Sequence, residues 1–323
     1  MGVEFRNEGV KSNVLGKPMK EPQNVPFEKE GQYLKSDNRS NISYFLEHNV
    51  LLRRFTLSVG VLANYNSALN EGIHFYPGID ASYRIGDNFR LYGSWNRALR
   101  MPTFTDLYYE GKTNKGNPDL KPEESEAFEV GLKYNTYFLR AHIAGFYRKG
   151  KNMIDWVKEK PEDIWESRNL TKVDNLGFET NLSLLPRELG NKRFFIRKIE
   201  LGYAFIHQDK DSEGYISNYA LDYLKHKFTA QLSHSIWKGF SATWYVRWQD
   251  RAGSYTKYEN LKPAYEEPYA PYCLVDMKVN WEYQRLNLYA ELNNLLNSTY
   301  YDLGNIPQPG IWFKAGLRYS FKY

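Results

Sequence analysis

Ile311-Trp-Phe-Lys-Ala-Gly-Leu-Arg-Tyr-Ser-Phe-Lys-Tyr323 closes the chain. Its odd positions read Ile, Phe, Ala, Leu, Tyr, Phe, Tyr, and its even positions Trp, Lys, Gly, Arg, Ser, Lys. A period of two puts successive side chains on opposite faces, so this is a strand with one apolar face. The same parity recurs in Phe240 to Trp248, where Phe240, Ala242, Trp244, Val246 and Trp248 alternate with Ser241, Thr243, Tyr245 and Arg247. It recurs again at Cys273, Val275, Met277, Val279 and Trp281.

Working outward, Phe55–Ala63, Phe89–Trp95, Phe128–Tyr134, Leu139–Tyr147, Leu176–Leu184, Ile199–Phe205, Phe228–Ile236 and Leu286–Leu292 read alike. Fainter runs lie near 3–9, 42–50 and 74–85. The expectation is an all-β chain of about fourteen antiparallel strands, each of roughly the ten residues that a tilted strand needs to cross a bilayer. No helix competes. Short connections at Leu52-Arg53, Gly86-Asp87, Asn135-Thr136, Trp237-Lys238 and Tyr283-Gln284 alternate with long ones near 10–39, 99–123, 149–171, 209–224, 251–270 and 295–310. The link from Leu184 through Pro186 to Arg197 is too long for its class.

A soluble β-sandwich and a membrane barrel both produce period two. Strand length, loop alternation and the crowding of Phe55, Tyr65, Phe89, Trp95, Phe240, Trp248, Trp281, Phe321 and Tyr323 at strand ends favour a transmembrane barrel with aromatic girdles. The long loops then lie outside the cell, and the C-terminus faces the periplasm. Val246, Val275 and Leu288 should face lipid and Thr243 the lumen.

Composition excludes other classes. The chain has 323 residues with 27 Tyr, 18 Phe and 8 Trp, too much apolar surface for disorder. One cysteine leaves no disulfide framework or clustered zinc site, and the parity of Cys273 suggests an inert buried thiol. The net charge of +5 is dispersed, so nucleic acid is not an expected partner. No signal peptide is written at Met1-Gly2-Val3-Glu4-Phe5-Arg6.

Between two strands lie Trp95-Asn-Arg-Ala-Leu-Arg-Met-Pro102-Thr-Phe-Thr-Asp-Leu-Tyr-Tyr109, then Lys115-Gly-Asn-Pro-Asp-Leu-Lys-Pro-Glu123, then Glu129-Val-Gly131. This closely resembles the barrel of TonB-dependent outer-membrane receptors, and Leu288-Tyr-Ala-Glu-Leu-Asn-Asn-Leu-Leu-Asn-Ser-Thr-Tyr300 resembles the family's penultimate strand. The economy of the loops is closest to cobalamin and siderophore receptors. The resemblance implies about 22 strands in a whole receptor, so residues 1–323 are expected to be the C-terminal part of the barrel, without signal peptide or plug. It implies a non-enzymatic receptor in a Gram-negative outer membrane that captures a scarce small-molecule nutrient and imports it with TonB-coupled energy. A passive, porin-like channel is the alternative. Implied partners are outer-membrane lipid, TonB through an N-terminal region absent from this sequence, the nutrient, and a surface lipoprotein.

Arg100, Pro102, Gly116, Asn117, Pro118, Pro122, Glu123 and Glu129 match the family pattern. Their own chemistry reads as loop shaping: prolines fix φ, Gly116 and Asn117 tolerate unusual dihedrals, and Glu123 and Glu129 cap or pair with Arg97 and Arg100. Tyr108, Tyr109, Trp165, Tyr255, Tyr258 and Tyr265 either contact a flat or hydrophobic ligand at the mouth or pack within the loops. Asp209, Asp211 and Glu213 alternate as calcium-loop carboxylates do, yet the twelfth position is Ala220 rather than Glu, so a solvated acidic turn competes with a Ca2+ site. No other cofactor is expected. The six histidines, among them His142, His226 and His234, lack zinc spacing.

Overall fold

A computed structural model describes residues 1–69, 72–160, 162–190, 193–211, 214–217, 223–259 and 262–321. The chain begins with β1 (Gly2–Ser12), β2 (Lys17–Asn24), β3 (Gln32–Leu51), β4 (Phe55–Asn66), β5 (Ile73–Ile85) and β6 (Phe89–Arg100). After α1 (Phe104–Tyr108) come β7 (Asn114–Lys115), β8 (Glu123–Asn135), β9 (Leu139–Lys158), β10 (Trp165–Leu184) and β11 (Ile196–Asp211). The remainder comprises β12 (Ile216–Ser217), β13 (Leu224–Ser235), β14 (Phe240–Arg251), β15 (Ser254–Glu259), β16 (Lys262–Pro268), β17 (Tyr272–Tyr283), β18 (Leu286–Asn293), β19 (Tyr301–Leu303), β20 (Ile306–Pro307) and β21 (Trp312–Tyr319).

Fourteen of these are long strands that pair with their neighbours in one antiparallel meander, from β1·β3 through β17·β18 to β18·β21. Among the described residues, β1 and β21 do not pair with each other, and the wall is an open arc. Tight turns hold the lower rim. Gly86 sits at φ 63 between β5 and β6. At Gly239 (φ 86) an added Cβ would lie 2.4 Å from the Glu282 carbonyl oxygen, so both dihedral and space demand glycine. The long link after Leu184 contains a 3-10 turn, Pro186–Leu189.

The period-two faces separate as expected. Outward positions on β6, β8, β9 and β10 carry Leu91, Val130, Ile143 and Phe178, all exposed. The alternate, inward positions carry Tyr92, Glu129, His142 and Glu179. Val246, Val275 and Leu288 lie on the outward parity of β14, β17 and β18, and Thr243 on the inward one, where its hydroxyl meets Ser233 at 3.1 Å. Lipid takes the apolar face, and the polar face satisfies itself by hydrogen bonding in a wet lumen. The aromatic pairs Phe89–Tyr134 and Phe240–Trp281 mark the lower rim; Trp95–Phe128 lies nearer the upper one.

Three expectations change. A helix does form, the single turn α1, because Thr103 caps it and Asp106 returns the bond. The spans 149–171 and 251–270 are not irregular loops. β9 and β10 run 20 residues each and rise beyond the bilayer as one hairpin, and β15 and β16 form another. Cys273 is half-buried on the outward face opposite Trp248, so its surroundings are lipid rather than a protein core.

Candidate ligand-binding mouth and lumen

The loop after β6 is built from the inside. Thr103 Oγ1 accepts from the Asp106 amide at 3.1 Å, and Asp106 Oδ2 accepts from the Thr103 amide at 3.0 Å. The Gly116 amide donates to the Tyr109 carbonyl at 2.6 Å and the Asn117 amide to the Asp106 carbonyl at 2.9 Å. A Cβ on Gly116 would stand 2.8 Å from the Leu107 carbonyl carbon, so two backbones approach here too closely for any side chain. Asn117 Oδ1 accepts from the Asp119 amide, closing a turn over exposed Pro118 that buries Leu120.

This loop is then fastened to its neighbours. Arg100 grips Glu123 across β6 and β8, and the same carboxylate accepts from the Ile154 amide of β9 at 2.8 Å. Asn169 of β10 accepts from the Lys121 amide, next to Pro122. Arg39, buried on β3, donates to the carbonyl of buried Pro102 and to Glu8 and lies over the Phe104 ring. Glu129 lies deeper and accepts from the Tyr92 hydroxyl, and among the described residues it pairs with no arginine. Arg97 turns outward to Glu124 and Glu126 instead. The reason is parity: Glu129 and Arg97 occupy opposite faces of the sheet.

The aromatic candidates fall into two groups rather than one. Tyr108 donates to Asp37 Oδ2 at 2.6 Å; burial, then that bond, raises its pKa above the usual phenol value. Tyr109 is exposed, with its ring edge-on to Trp156, and half-buried Trp165 lies beneath the Lys158 ammonium. In the second group Tyr255 is buried against Tyr269 and Tyr301. Tyr258 and Tyr265, 53% and 51% exposed, stand free of that packing on the β15–β16 hairpin.

Sequence reading missed several groups. Asp155, buried on β9, binds the Ser217 hydroxyl of β12 and stitches a third loop to the hairpin. Glu291 on β18 bridges Lys278 and Lys314 at 2.7 and 2.5 Å on the lumen side. Period-two pairing across strands was the available signal for Glu291; the Asp155 contact joins residues 62 apart and had none. Asp209 lies 3.9 Å from the Lys172 ammonium, Asp211 ends β11, and Glu213 falls outside the described residues. Among the described residues no group of three or more His, Cys, Asp or Glu gathers to hold a metal.

The lumen wall carries a groove of about 650 Å³ lined by Lys133, Arg140, Glu200, Tyr245, Arg247 and Asp276 among others. Above it, continuing from Arg247 at its edge, inward positions of β9, β11, β13 and β14 bear Arg148, Lys210, Lys227 and Arg251.

The family model described as TonB dependent receptor-like, beta-barrel matches residues 1–295. The chain belongs to the TonB-dependent receptor family. It is 26% identical over 225 residues to the vitamin B12 transporter BtuB of Vibrio vulnificus, covering 52% of this chain and 36% of that protein. With the ferrienterobactin receptor of Escherichia coli it shares 22% over 297 residues, 83% of this chain and 38% of that one. A crystal structure of a Pseudomonas aeruginosa ferric enterobactin receptor mutant in complex with enterobactin superposes with a TM-score of 0.73 at 19% identity, covering 99% of this chain and 51% of that one. The chain thus spans about a third of the length of these curated relatives and half of that solved one. Membership places the TonB-dependent receptor chain in the outer membrane of a Gram-negative bacterium, crossed by strands.

Proposed function

We propose that this chain forms the wall and mouth of a receptor that captures a scarce nutrient outside the cell and imports it with TonB-coupled energy. The nutrient is of the cobalamin or siderophore type, and the receptor performs no covalent chemistry. The observation that carries the choice between the two is the inward set Arg148, Lys210, Lys227, Arg247 and Arg251, a field suited to an anionic ferric siderophore. Lys210 and Arg251 lie over the rings of Tyr223 and Tyr269. Tyr109, Tyr258 and Tyr265 offer exposed ring faces at the mouth for first contact. A passive pore gains no support, since the matched relatives are receptors and transporters.

Equilibrium binding of a ferric tris-catecholate and of cyanocobalamin to the full-length receptor tests this. The iron complex should bind at least about tenfold tighter. Arg148→Gln with Arg247→Gln should erase that preference. Tighter cobalamin binding, unaffected by these changes, would contradict the reading.

A further inference from the structure

Outward side chains just above the apolar band form rows that run across four strands. Trp95, Phe128, Tyr147 and Leu176 are register partners along β6, β8, β9 and β10 and close the band. The next outward row is Arg97, Glu126, Lys149 and Asp174, and the one above is Leu99, Glu124, Lys151 and Lys172. From Leu139 at the lower rim to Lys149, at about 3.3 Å per residue and a tilt near 40°, the climb is about 25 Å. That equals the height of the apolar belt of an outer-membrane barrel, so these charges stand at the level of the outer-leaflet headgroups.

The pairing in these rows is unequal. Arg97 holds both glutamates, Glu126 at 3.3 Å and Glu124 at 3.6 Å. Lys172 is taken by Asp174 at 3.2 Å and, farther off, Asp209. Among the described residues, Lys149 and Lys151 have no ion-pair or hydrogen-bond partner, although Glu126 and Glu124 lie directly across the ladder. The two lysines and Arg97 line one shallow outward recess with the two engaged glutamates. Three cations against two anions leave a local positive surplus.

We propose that this recess binds a phosphate group of an outer-leaflet lipid, with the Lys149 and Lys151 ammonium groups as its donors. Arg97 is the positioning residue, since it draws Glu124 and Glu126 away from the lysines. The lipid's acyl chains would then run down the apolar face past Tyr147, Phe128 and Val130, which continues below the recess. Anionic headgroups attract basic side chains at this depth by about 1 kcal/mol each, and the paired lysines provide two.

The test is native mass spectrometry of the full-length receptor titrated with bisphosphorylated lipid A and with its dephosphorylated form. The parent should retain the phosphorylated lipid preferentially. Lys149→Gln with Lys151→Gln should weaken it about thirtyfold without changing retention of the dephosphorylated lipid, while Lys149→Arg with Lys151→Arg, which keeps both charges and guards against misfolding, should restore it. Arg97→Gln should weaken it too, because freed glutamates then neutralise the lysines. Lys238→Gln at a periplasmic turn is the neutral control. Equal retention of both lipids by the parent, or parental affinity in the double Gln variant, would overturn the site. The readout is independent of cargo uptake, so the two proposals fail separately.

Discussion

Arg100 donates two hydrogen bonds to Glu123, Nε to Oε2 at 2.6 Å and Nη2 to Oε1 at 2.5 Å, from the position directly opposite it across the β6–β8 ladder. The geometry is bidentate, which a lysine cannot reproduce. Because Glu123 is buried and also accepts from Ile154, its removal strands both donors. Glu123→Ala should therefore cost about 1–3 kcal/mol locally, with the exposed half of Arg100 holding the figure toward the lower end. Hydrogen exchange and limited proteolysis should show residues 101–122 opening while β4 and β5 stay protected. Unchanged protection would show that the loop is held elsewhere.

The lumen and lipid faces give a second expectation. Val246→Arg, outward within the apolar band of β14, should destabilise the folded barrel by roughly 2–4 kcal/mol. Thr243→Arg, inward on the same strand, should cost far less. Urea unfolding in detergent micelles or liposomes compares them, and equal costs would remove the barrel assignment of that strand.

Tyr108 offers a pH handle outside the membrane. Its folded pKa is raised by burial and by the Asp37 bond, so the proton is held more tightly folded than unfolded. The stabilisation is complete below the ordinary tyrosine pKa of about 10 and is lost as pH rises through the folded value. Ultraviolet titration of the parent against Tyr108→Phe should find this phenol ionising after the bulk of the tyrosines. Ionisation with the bulk would mean that the Asp37 contact does not form.

Topology is checked by thiol labelling in a Cys273→Ser background. Lys112→Cys, exposed beside β7, should react with an impermeant reagent on intact cells, and Asp87→Cys in the β5–β6 turn should not. The reverse pattern would invert the barrel.

The repeating part of this fold was legible because burial in a barrel wall acts on every second residue, and runs such as Phe240 to Trp248 carry that constraint in their own order. All fourteen long strands follow it. Ends and extensions were not legible. Met153 to Lys158 of β9 is no longer selected by lipid, and its pairing with β10 and Ser217 depends on residues far along the chain. α1 was hidden for a different reason: five residues give no helical period, and only the Thr103/Asp106 capping pair marks it. At the site, the Arg100–Glu123 pair was readable from type and spacing. The division of the tyrosines into buried Tyr255 and exposed Tyr258 and Tyr265 was not, since all lie in one hairpin and differ only in what packs above them.

The central claim is energised uptake through this wall, and the most direct measurement follows a radiolabelled ferric tris-catecholate into cells carrying the full-length receptor, with the membrane potential intact or collapsed. Uptake should saturate, stop when the potential is collapsed, and fall with Arg148→Gln and Arg247→Gln while surface binding of phosphorylated lipid is unchanged. Uptake that rises linearly with concentration and persists without the potential would contradict the account and point to a passive pore.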